Sequence, residues 1–226
     1  MKNINKETLK SSLICGILGC ICYGTGDWLM IYGDPTSTSK LKFLTKGTAN
    51  IPQWRYSLSL FLSFPGIILY GIALFSIENF IFEEKNKKIY HYLNIFGLTP
   101  WIALHLFFIM ILSLFSWMNK NGYNSQAIPV CEGLFSQLSW FVLLSEIMMV
   151  PVFIYWFYLQ IKGKTIFPKR FAFTNVILIY FILKIIYKLM PISARSIGFG
   201  CGLMSESMVI WFGFMLNFTR KKIMQI

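Results

Sequence analysis

Residues 12–32 read SLICGILGCICYGTGDWLMIY. Wound as a helix at about 1.5 Å per residue, this run matches the roughly 30 Å hydrocarbon core of a bilayer. It carries one acid, Asp27, near its far end. Gly16, Cys20, Tyr23 and Asp27 follow one another at steps of three or four, so small residues and the carboxylate share a helix face. The last apolar segment repeats the arrangement, with Gly198, Gly202, Glu206 and Gly213 along one line. Two helices able to approach closely, each bearing an acid, predict a polar site inside a bundle. Gly16, Cys20, Gly24, Gly198, Gly202 and Gly213 are the expected helix-packing positions.

The rest of the chain has the same character. Of its 226 residues 56% are hydrophobic and only 13% are charged, against about a quarter charged in soluble domains. Six apolar runs stand out, at about 12–32, 54–77, 93–117, 134–159, 171–189 and 197–216. The expected fold is therefore an all-α integral membrane protein, a six-transmembrane-helix bundle forming one polytopic domain over 1–226. Neither a linker nor an internal repeat interrupts it, which weighs against an inverted-repeat transporter.

The basic start, MKNINKETLK, imitates a signal peptide, but the apolar run continues past Cys20 to Tyr32, so an uncleaved first span is expected. Orientation follows from the Lys and Arg residues. With the N-terminus inside, thirteen lie in inner segments: Lys2, Lys6, Lys10, Lys85, Lys87, Lys88, Lys162, Lys164, Lys169, Arg170, Arg220, Lys221 and Lys222. Seven lie in outer ones: Lys40, Lys42, Lys46, Arg55, Lys120, Lys188 and Arg195. Both termini are thus expected in the cytoplasm and the chain in the cell membrane, the cytoplasmic membrane if the source is bacterial. The net charge of +12 resides mainly in these connections, so the expected partner is the lipid bilayer and not nucleic acid.

One outer connection is long. Residues 33–53 carry Lys40, Lys42 and Lys46 and begin Gly-Asp-Pro-Thr-Ser-Thr-Ser, which predicts a turn followed by a helix or flap. It reads either as a solvated basic loop or as a lid that attracts anionic ligands or head groups.

An ionisable residue at a helix centre costs at least about 2.5 to 3.5 kcal/mol on insertion scales, so it should face the bundle interior and a partner. The candidate intramembrane polar site comprises Asp27, Arg55, His105, Glu146, Lys184, Ser205 and Glu206. Glu132, Ser136, Ser139, Leu143 and Glu146 form a polar stripe on one helix face. These stripes are expected to converge on one cavity open toward the outside. The structural counterparts of this reading are an Asp27–Arg55 ion pair at the outer interface and a Glu206–Lys184 pair fixing helix packing.

Three function classes remain open. The first is binding or transport of a small amphipathic or charged solute, with Glu146 or Glu206 exchanging a proton. The six-span layout with a long first outer loop resembles the substrate-binding subunits of energy-coupling-factor importers. This chain departs from that family's alanine-spaced first helix, having Gly16, Cys20 and Gly24 there. The second class is a membrane enzyme using carboxylates and His105 as acid and base on a lipid or isoprenoid; Trp101 or Trp140 would stabilise a cationic intermediate. The third is a scaffold, a homo-oligomer or a subunit working with a partner protein. No cofactor is expected. The two histidines, His91 and His105, and the cysteines Cys15, Cys20, Cys22, Cys131 and Cys201 lack metal-ligand spacing, so no metal is expected either.

Overall fold

The computed structural model describes residues 6–223, and Lys2 lies outside them, as do the side chains of Lys6, Lys221 and Lys222. The described chain is nearly all helical, with one isolated bridge between Ile81 and Thr165. The helices are α1 (Lys6–Ile31), α2 (Lys46–Asn50), α3 (Gln53–Ile77), α4 (Glu84–Lys120), α5 (Asn124–Ile161), α6 (Val176–Leu189) and α7 (Ala194–Ile223). Five of these, α1, α3, α4, α5 and α7, are long and apolar enough to cross a membrane.

The expected span at 171–189 differs. It is divided between a 3-10 turn, Lys169–Thr174, and the 14-residue α6. At about 1.5 Å per residue α6 extends roughly 21 Å, less than a hydrocarbon core. Asn175 sets its start: its side-chain oxygen accepts from Ile177 N–H at 3.0 Å, and its amide donates to the Phe153 carbonyl at 3.0 Å. The Asn175→Ala variant therefore loses a cap and an inter-helix bond together. It should lower stability by about 1–2 kcal/mol, read as a fall in melting temperature in detergent.

Glycines set the helix order. α1 runs antiparallel to α3, because a Cβ on Gly16 would meet Ala73 and one on Gly19 would meet the backbone of Gly66 and Tyr70. α1 also runs antiparallel to α7, with Gly16 against Phe212, Gly24 against Ser205 and Gly198 against Tyr32. α4 continues the layer from α3 to α5: Asn94 donates to Leu74 O at 3.1 Å, and Gly97 faces Val152. The first and last described turns of the chain thus lie at one end of the bundle, here the near end. At Gly213 nothing lies within 4 Å of where a Cβ would stand, so this expected packing position is open.

Two apolar clusters divide the interior. The near-end cluster contains Tyr70, Phe80, Tyr90, Phe153, Trp156, Phe167, Trp211 and Phe212. The far-end cluster contains Met30, Leu44, Ile51, Tyr56, Ile109, Leu112, Phe115 and Cys131. Outside, the bundle presents large apolar side chains such as Phe61, Ile68, Met110 and Ile185, a surface suited to lipid and not to water.

The far end is capped by residues 33–52, which include α2. Gly33 has φ +143°, and its α-carbon packs against the Gly47 backbone. Thr36 donates to Asp34 through N–H at 2.9 Å and Oγ–H at 2.7 Å, which holds that carboxyl below the usual range. The cap is tied down on both sides. Ser116 donates to Ile51 O at 2.7 Å, Lys120 donates to the same carbonyl, and Ser39 Oγ–H and Lys40 N–H donate to Glu132 at 2.6 and 2.8 Å. The expected flap is a structured cover holding one short helix.

Candidate functional site

Between the two apolar clusters lies a polar band. His105 occupies α4 between Trp101, packed on the near-end cluster, and Ile109, in the far-end one. Its Nδ1 lies 3.1 Å from Asp27 Oδ1 of α1. The imidazole is 5% exposed and the carboxylate 22%, so the pair is enclosed on the histidine side and open on the other. His105 Nε2 faces Ser59 Oγ of α3 at 3.4 Å, a long hydrogen-bond contact. Tyr23, one turn before Asp27, packs edge-on against His105 with ring centroids 5.0 Å apart.

Gly26 makes room for this arrangement. A Cβ there would stand 3.1 Å from Ser59 Oγ and 3.3 Å from His105 Nε2. Gly26→Ala should therefore disturb the Asp27–His105 contact while leaving the helix intact. A weakened coupling between those two residues in a double-mutant cycle is the measurement that checks it.

Glu206 of α7 completes the band. Both its carboxylate oxygens are buried and neither makes a hydrogen bond of good geometry. The nearest donor is the Trp28 indole: Trp28 Nε1 and Glu206 Oε1 converge over Gly202, 2.8 and 3.3 Å from its Cβ position. Asp27 and Glu206 are close enough for their charges to act on each other, and Cys201 lies near both. Ser205 is buried against Gly24. The band therefore joins two carboxylates, an imidazole and hydroxyls from α1, α3, α4 and α7.

The other expected site residues lie elsewhere. Arg55 does not pair with Asp27; it donates to the Trp28 carbonyl at 3.1 Å, and its guanidinium lies 5.8 Å from the Tyr32 ring centroid. It lines a rim cavity of about 340 Å³ with Lys46, Asp34 and Asn50. Lys184 is exposed on α6, 5.4 Å from the Tyr180 ring centroid, and does not meet Glu206. Glu146 is exposed on α5, as are Ser136 and Ser139, so this stripe points away from the band.

Sequence reasoning did not single out Ser59, Trp28, Gly19 or Gly26. Ser59 and Ser63 stand four apart in α3 and are both buried, a small polar pair that marks an inward face of an apolar helix. Gly19 and Gly26 stand seven apart, a spacing that returns to the same helix face.

Among the described residues, no group of three or more His, Cys, Asp or Glu side chains has the geometry to hold a metal ion. No curated protein and no solved structure matches this chain. A family does match residues 1–222, covering the polar band and every helix but the end of α7. The chain belongs to this family, described as a family of unknown function, DUF6796.

Proposed function

We propose that this chain is a multi-pass protein of the cell membrane, both termini cytoplasmic, that binds or transports a small amphipathic or charged solute at the Asp27–His105–Glu206 band. The observation that carries this reading is Glu206. A buried carboxylate whose one nearby donor is the Trp28 indole, out of good hydrogen-bond geometry, is costly, and such groups call for a ligand, a water or a proton. A solute carrying a cationic or hydrogen-bond-donating group supplies what the indole alone does not. The Asp27–His105 pair adds a group able to take up or release a proton as the solute arrives. Six crossings, with α6 as a shortened one, return the chain to the side on which it starts.

Glu206→Gln is a near-isostere, so it should leave folding intact while lowering solute binding about tenfold or more, a loss of about 1.4 kcal/mol or more. Uptake of charged and amphipathic solutes into proteoliposomes at two pH values checks it. Equal uptake by wild type and variant across every transported solute would overturn the reading.

A second reading has its own observation. Asp27 on His105 Nδ1 and Ser59 at Nε2 reproduce the order of groups in an acid–base–nucleophile relay. In a membrane enzyme acting on a lipid, His105 would be the base and Asp27 its orienting group. Labelling of Ser59 by a fluorophosphonate, lost in His105→Ala, separates this reading from solute binding, which predicts no labelling.

A further inference from the structure

Several polar side chains of the long helices face the bundle interior. Ser59, Ser63, Asn94, His105, Ser116, Ser205 and Ser207 are all buried. Two charged residues near mid-depth, one on α5 and one on α6, lie outward instead. Glu146, midway along α5, is exposed and makes no hydrogen bond or ion pair with any described residue. Lys184 of α6 is exposed, and the face of Tyr180 is the one partner it has among the described residues. Their charges are opposite.

They also lie at one depth. The bond from Asn175 to the Phe153 carbonyl pins the start of α6 to α5. Lys184 is nine residues beyond Asn175, about 13 Å toward the far end, and Glu146 is seven residues before Phe153, about 10 Å in the same direction. The two therefore stand within about 3 Å of the same level. α5 is also the least covered long helix, with 22% of its apolar window buried, against 33% or more in the other four. Exposed Ser136 and Ser139 continue the Glu146 face, and hydroxyls of this kind hydrogen-bond across helix interfaces in membranes.

We infer that the α5–α6 flank is an interface with a second copy of this chain, in which Glu146 of each copy meets Lys184 of the other. A two-fold axis along the membrane normal keeps both copies at the same depth. It makes two identical ion pairs from one acid and one base per chain. Each charge faces lipid alone in a single copy and a counter-charge in the pair, which removes the cost that exposure carries.

The test uses two differently tagged full-length copies, co-expressed and extracted in mild detergent. Wild-type copies should co-purify. Glu146→Lys paired with itself, and Lys184→Glu paired with itself, should each lose co-purification about tenfold or more, since like charges then face each other. A Glu146→Lys copy with a Lys184→Glu copy should pair again, because every contact is once more between opposite charges. That rescue also shows that both single variants fold. Wild-type copies that do not co-purify, single variants that pair with themselves as wild type does, or failure of the mixed pair would each overturn the inference. An ion pair formed within one chain gives this last result, with a lowered melting temperature in the single variants.

Discussion

Asp27→Ala should destabilise the folded chain by about 3 kcal/mol, where the penalty for an orphaned buried donor meets that for a broken buried ion pair. His105 is 5% exposed and bonded on both ring nitrogens, to Asp27 at 3.1 Å and, at longer range, to Ser59 at 3.4 Å. Removing the carboxylate leaves the buried Nδ1 without its partner. His105→Ala should cost a similar amount. The double variant should cost clearly less than the sum, by about 1–3 kcal/mol, because the partners share one interaction. Equilibrium unfolding of all four proteins in mixed micelles measures it. Additive losses would show that the two residues act independently.

Gly19→Leu should abolish the folded protein, and Gly19→Ala should already cost about 1–3 kcal/mol. A Cβ at Gly19 would stand 2.8 Å from both the Gly66 carbonyl oxygen and the Tyr70 amide nitrogen. These are backbone atoms of α3, so no side-chain rotation relieves the clash; the helices must separate. That separation would pull Tyr23 and Asp27 away from α3 and α4, so stability and site are lost together. Gly213 is the control. Nothing lies within 4 Å of its Cβ position, and Gly213→Ala should be neutral or gain up to about 1 kcal/mol from helix propensity. Size-exclusion profiles and melting curves of the three variants decide it.

The helices were legible because their signal is composition over long windows. Apolar runs predict α1, α3, α4, α5 and α7 within a few residues at most ends. They under-reach at α4 and α5, whose first turns, Glu84–Tyr92 and Asn124–Gly133, are polar enough to read as connections yet continue the same helix. The segment 171–189 was read as one continuous helix, since apolar content does not show that the Asn175 cap divides it.

The site was legible in part. Asp27, His105, Ser205 and Glu206 were chosen for charge or polarity at depth, and the fold gathers them. Glu146 and Lys184 were chosen by the same rule and lie outside. The rule says that a buried charge needs a partner. It does not say whether the partner is in the same chain, and helix neighbours are not written in a periodicity. Arg55 shows the same gap: proximity in depth suggested Asp27, but rotation about α3 gives it the Trp28 carbonyl.

The most direct test of the polar band is an experimental density map of the protein extracted in native lipid discs. The account predicts Asp27 within hydrogen-bonding distance of His105, and ordered non-protein density contacting Glu206. Asp27 turned away from His105, or Glu206 filled in by protein donors with no other density, would contradict it.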